Sequence, residues 1–105
     1  MLNLIESMAR WFDENSSAEG VRASYREGPV DRPKRSAQIG FETAASLASV
    51  AVWESGELEA EVLVVESLER VLVISMVVST PASMIQIIER VMEATRAASG
   101  PSNEN

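Results

Sequence analysis

The chain has 105 residues, 46% hydrophobic and 24% charged, the size and usage of one soluble domain that buries roughly two-thirds of its unfolded surface. It contains no cysteine and no histidine, which excludes disulfides, thiolate or imidazole metal sites and the usual general base, leaving carboxylates, Lys34, Tyr25 and hydroxyls for any chemistry. A net charge of −7 disfavours nucleic-acid phosphate and anionic membranes and favours encounter with basic protein surfaces.

In the first segment Leu4, Ile5, Met8, Trp11 and Phe12 recur at helical spacing, with Asn3, Glu6, Ser7, Arg10, Asp13 and Glu14 on the other side, which predicts an amphipathic helix. Asn15, Ser16 and Ser17 end it. Glu6 and Arg10 interrupt the apolar positions from Met1 to Phe12, so this is not a signal peptide, and the run Val71 to Val78 is too short to span a bilayer. A cytoplasmic protein is expected.

Gly20 opens a strand over Val21 to Arg26, in which Val21, Ala23 and Tyr25 alternate with Arg22, Ser24 and Arg26. Glu27 to Arg35 holds Gly28, Pro29 and Pro33 among charges, the composition of an exposed loop and the most mobile piece of the chain. Ala37, Ile39 and Phe41 then alternate with Gln38, Gly40 and Glu42, a strand with one face buried and one wet. Thr43 to Leu47 reads either as a turn or as a bulged continuation of that strand.

Ser49 to Ser55 and Glu57 to Glu66 flank Gly56 as a hairpin. Glu57, Glu59 and Glu61 alternate with Leu58, Ala60 and Val62, which sets the register with glutamates out and aliphatics in. Past Val62 the pattern is apolar on both faces, and it remains so in Val71 to Val78 after a turn near Leu68 to Arg70. That places the last strand at the centre of the sheet, or covered on both faces. Ser79-Thr80-Pro81 is a helix start, a hydroxyl cap followed by proline at the first helical position. The helix runs from Pro81 to about Ala98 and buries Met84, Ile85, Ile88, Val91, Met92 and Thr95 until Gly100-Pro101 stops it. The order lacks the crossover helices of a parallel sheet. The expected fold is α+β: an N-terminal helix, an antiparallel meander of about five strands, and a C-terminal helix packed on the sheet. Residues 1–99 form one domain and 100–105 a short polar tail.

Charge is unevenly placed. Arg22, Arg26, Arg32, Lys34 and Arg35 face only Glu27 and Asp31 between Val21 and Arg35, whereas Ser36 to Ser79 carries Glu42, Glu54, Glu57, Glu59, Glu61, Glu66 and Glu69 against Arg70 alone. The glutamates at 57, 59 and 61 bring oxygens to one strand face, the requirement of a carboxylate pair or a cation site. A solvated strand face is the commoner meaning of such alternation, and an anionic ridge that meets a basic cleft on another protein lies between the two. The basic segment lacks the interleaved aromatics of a nucleic-acid site. The five glycines of the chain, at 20, 28, 40, 56 and 100, are too scattered for a phosphate loop. Trp53 suits core packing, the usual place of a strand tryptophan, with an interface anchor as the less common alternative. Trp11, Met84 and Met92 are expected in the core.

The stretch Val50-Ala51-Val52-Trp53-Glu54-Ser55-Gly56-Glu57, with the Ser36 to Thr43 strand before it and the helix end Arg10-Trp11-Phe12, resembles the TriTu family of bacterial immunity proteins over most of the chain. That resemblance implies a small cytosolic protein that neutralises a cognate TreTu toxin, an ADP-ribosyltransferase domain that modifies elongation factor Tu. It implies binding rather than catalysis, no cofactor, and a toxin domain as partner to a monomer or weak homodimer. A cleft that accepts the anionic NAD pyrophosphate has an electrostatic reason to accept an acidic plug. The residues expected to meet the toxin are Trp53, Glu54, Ser55, Glu57, Glu59 and Glu61 of the hairpin, aided by Arg32, Lys34 and Arg35 of the loop. The alternative from another class is an acidic secretion chaperone that binds an effector segment as a dimer.

Overall fold

Asn3 starts the first helix, α1 (Leu4–Asn15), by accepting a hydrogen bond from the Glu6 amide on its side-chain oxygen at 2.9 Å, which satisfies one of the donors a helix N-terminus leaves open. The computed structural model describes residues 3–15 and 20–99. Met1, the stop at Ser16 and Ser17, the stop at Gly100-Pro101 and the polar tail lie outside the described residues. Five strands follow α1: β1 (Arg22–Glu27), β2 (Ser36–Glu42), β3 (Ser46–Trp53), β4 (Glu57–Val64) and β5 (Glu69–Val77). They pair antiparallel in the order β1-β2-β3-β4-β5. The second helix, α2 (Pro81–Ser99), closes the fold. Thr80 caps it, its hydroxyl accepting from the Ser83 amide at 3.1 Å.

Both helices lie on one face of the meander. The inward positions Ala37, Ile39, Phe41, Val50, Val52, Leu58, Ala60 and Val62 are buried with Ile5, Met8 and Trp11 of α1 and Met84, Ile88 and Val91 of α2. Ile85 and Met92, expected in the core, are half-buried and pack against it. Trp11 meets Phe41 edge-on with ring centres 6.1 Å apart, and its indole donates to Glu89 at 3.3 Å. Phe12 lies against Tyr25 at 5.7 Å. The residues 43–45 form a turn, because the Thr43 hydroxyl accepts from the Ala45 and Ser46 amides at 3.2 and 3.0 Å. The buried Ser46 hydroxyl then donates to the Thr95 carbonyl at 2.9 Å, tying β3 to α2.

Two sequence expectations are corrected. The turn before the last strand occupies 65–68 rather than Leu68 to Arg70. The strand it leads into is neither central nor covered on both faces. β5 is an edge strand, and its outward residues Val71, Val73 and Val77 are 49%, 63% and 68% exposed. A doubly apolar strand usually signals cover on both sides. Here α2 turns back over the inner face and no described residue covers the outer one.

Candidate functional site

The face of the sheet opposite the helices is bare, and its side chains follow from the register. One row across it reads Arg26, Gln38, Ala51, Glu59, Ser75, and the next reads Ser24, Gly40, Ser49, Glu61, Val73. Small residues in the middle strands leave a shallow trough. The trough separates an arginine edge on β1 from a glutamate ridge on β4. A groove lined by Gln38, Ser49, Ala51, Glu59, Glu61 and Ser75 runs along the ridge.

Trp53 corrects a third expectation. It does not join the core: Val50 and Val52 take the inward positions of β3, which leaves Ala51 and Trp53 outward. The indole is half-buried because the loop 28–35 folds beside it, and Trp53 lines two grooves, one with Arg26, Pro29, Ser36 and Gln38, the other with Arg32, Pro33 and Lys34. Its position fits the interface anchor, an aromatic body held partly against neighbours with one side wet.

The corner between β3 and β4 is held by a glycine. Gly56 has φ +107°, and a Cβ there would stand 2.5 Å from the Val78 carbonyl oxygen. The Val78 amide donates to the Gly56 carbonyl at 2.9 Å. Only glycine fits this approach. The corner also pins the basic loop, since the Arg35 amide donates to Glu54 Oε1 at 2.8 Å and the Glu54 amide to the Arg35 carbonyl at 2.9 Å.

The expected contact residues therefore divide. Trp53, Glu57, Glu59 and Glu61 share the bare face, with Glu54 and Ser55 at its rim. Lys34 Nζ lies 3.0 Å from Glu57 Oε2, and Ser55 donates to the other oxygen of Glu57. These two bonds, the serine's first and the lysine's second, hold the Glu57 carboxyl down at about 2. Arg70 Nε sits 2.8 Å from Glu61 Oε1, and Arg35 pairs with Glu27 at 3.6 Å. Glu59 and Arg32 make no ion pair among the described residues. Burial, and then the bond its hydroxyl donates to Glu27 at 3.0 Å, push Tyr25 up to about 12. Sequence reasoning missed Arg26 and Gln38 and the valines of β5 as parts of this face. The wet positions of the first two strands, where Arg26 alternates with Tyr25 and Gln38 with Ile39, already carried the signal for two of them.

Among the described residues no three acidic side chains come together as a group able to hold a metal ion, and no described helix is long and apolar enough to cross a membrane. A two-helix layer behind a meander whose front is open, charged in two signs and edged at the hairpin end by a half-buried tryptophan defines a small α+β domain with one uncovered sheet face. The family model for the immunity protein TriTu matches residues 6–94. The chain belongs to the TriTu immunity protein family, as the hairpin motif around Trp53 had suggested. No curated protein matches it closely enough to count as a relative.

Proposed function

We propose that this immunity protein neutralises an ADP-ribosyltransferase toxin that modifies elongation factor Tu, acting in the cytoplasm by laying its bare sheet face over the toxin's active-site cleft. The observation that carries the reading is the ridge of Glu57, Glu59 and Glu61, fixed in one row beside Trp53 on the uncovered face of a family member. A cleft shaped for the NAD pyrophosphate presents cationic groups, and an anionic ridge complements them without supplying chemistry. Inhibition of this kind needs affinity and shape alone, which suits a chain that has neither histidine nor cysteine.

The test uses the cognate toxin, to be sought in the gene neighbouring this one. Truncating one partner of a buried charge pair across an interface costs roughly 2–5 kcal/mol, so reversing Glu57, Glu59 and Glu61 together to lysine is expected to abolish protection in co-expression and to restore ADP-ribosylation of elongation factor Tu in vitro. Arg90→Glu, on the exposed side of α2, should leave both readouts unchanged. Full protection by the triple variant would remove the ridge from the mechanism, and a toxin that modifies another target would remove elongation factor Tu.

A further inference from the structure

The free edge of β5 is irregular at its start, where the register shifts at Val71, but from Leu72 to Val77 it is unguarded, and that sets it apart from the other edge of the sheet. β1 carries Arg22, Arg26 and Glu27 as exposed charges, the ordinary means of discouraging a further strand. β5 is nine residues long, has its charges Glu69 and Arg70 at one end, and runs from Val71 to Val77 without a charge or a proline. Such an edge is a template for an added strand.

Its outward row identifies what would be added. Val73 and Val77 flank Ser75, the one short polar residue in the row, and Ser75 is the register partner of Glu59. Of the three ridge glutamates, Glu57 has Lys34 and Glu61 has Arg70, whereas Glu59 makes no ion pair among the described residues. A strand paired with β5 lies two strand spacings, about 10 Å, from β4. A long basic side chain placed opposite Ser75 would pass over the serine to Glu59. Its neighbours in the same row would meet Val73 and Val77.

We infer that β5 captures an extended segment of the toxin with the pattern apolar, any, basic, any, apolar, by strand addition that sets the basic residue over Ser75 and against Glu59. This deepens the proposed function and rests on its premise that the toxin docks on this side of the sheet. The pattern reads the same in both directions, so the added strand satisfies it parallel or antiparallel. A second copy is a poorer occupant. Its own Leu68 to Leu72 carries the pattern, but the basic residue there, Arg70, is already paired with Glu61 at 2.8 Å and would have to leave it to reach the other copy's Glu59, and a second copy brings a further net charge of −7.

The segment can be tested without the toxin. A blocked nine-residue peptide centred on Val-Thr-Lys-Thr-Val, and its twin with glutamate in place of lysine, would be titrated into the full chain and followed by backbone amide shifts. The expected result is shifts concentrated in β4 and β5, with the lysine peptide bound about tenfold more tightly. That preference should vanish in Glu59→Gln, and binding of the lysine peptide should be lost in Ser75→Lys. Equal affinity for the twins, shifts centred on β1, or no binding of either peptide would overturn the inference. So would a dimer in sedimentation that Ser75→Lys dissociates, since a second copy would then hold the edge. Because no toxin enters this titration, its failure removes the β5 assignment alone, whereas unimpaired neutralisation by the ridge variant removes the docking of the toxin on this face.

Discussion

Replacing Gly56 with alanine separates two structural costs that are usually confounded. At φ +107° an L-residue sits in a sparsely populated region that costs about 1–3 kcal/mol. The new Cβ would also stand 2.5 Å from the Val78 carbonyl oxygen, a backbone atom that cannot rotate away, with Val77 Cγ1 at 3.3 Å. Relief requires the start of the segment after β5 to move, which loosens the 2.9 Å bond from the Val78 amide to Gly56 at a further cost of about 1 kcal/mol. The sum is about 2–4 kcal/mol, a large part of the roughly 5–15 kcal/mol that holds a domain folded. Urea denaturation reads it directly: with a slope of about 1–3 kcal/mol per molar, the midpoint should fall by roughly 1–3 M. Gly20 supplies the control. Its φ is +84° but nothing stands within 4 Å of an added Cβ, so Gly20→Ala carries the backbone strain alone. If Gly56→Ala loses no more stability than Gly20→Ala, the close approach at the hairpin corner does not constrain the fold and the reasoning fails.

Leu68 has φ 58° with its side chain 72% exposed, so it bears a left-handed conformation with little packing in return. Leu68→Gly should raise stability by about 0.5–1 kcal/mol, seen as a thermal midpoint several degrees higher. The Glu57 carboxyl should titrate near 2 in a carbon NMR experiment, and Ser55→Ala with Lys34→Met should return it towards the ordinary range around 4.5. Because the folded value lies below the unfolded one, the stabilisation from Glu57 is fully present above about 4.5 and is lost as pH falls through about 2. The double variant should therefore lose part of its acid sensitivity in that window.

Periodicity made most of this architecture legible. The 3.6-residue stripes of the two helices, the Thr80-Pro81 start and the strict alternation of Glu57, Glu59 and Glu61 with Leu58, Ala60 and Val62 each specify an element and the face it buries. The start of β3 was not legible, because the Thr43 to Leu47 run has weak alternation and its turn is set by bonds of the Thr43 hydroxyl that no pattern announces. Trp53 was misplaced for a reason of volume. A tryptophan in a strand usually fills a core, but here the neighbouring valines fill it and the loop 28–35 shelters the indole from outside. The position of β5 was hidden for a related reason. Apolar residues on both faces say that both are to be covered and cannot say whether the cover is the chain's own or a partner's. The contact face was half legible: its acidic half stands in one hairpin, while the arginine edge and the valines come from strands far apart in sequence.

The two tryptophans of the chain offer the most direct test of the docking face. Trp53 lies half-buried on the bare face, and Trp11 lies buried on the helix side with its indole bonded to Glu89. On adding the cognate toxin domain to the nitrogen-labelled protein, the Trp53 indole signal should shift or broaden with the methyl signals of Val73 and Val77, while the Trp11 indole stays in place. A response at Trp11 and along the exposed side of α2, with Trp53 unmoved, would put the toxin on the helices and contradict the account.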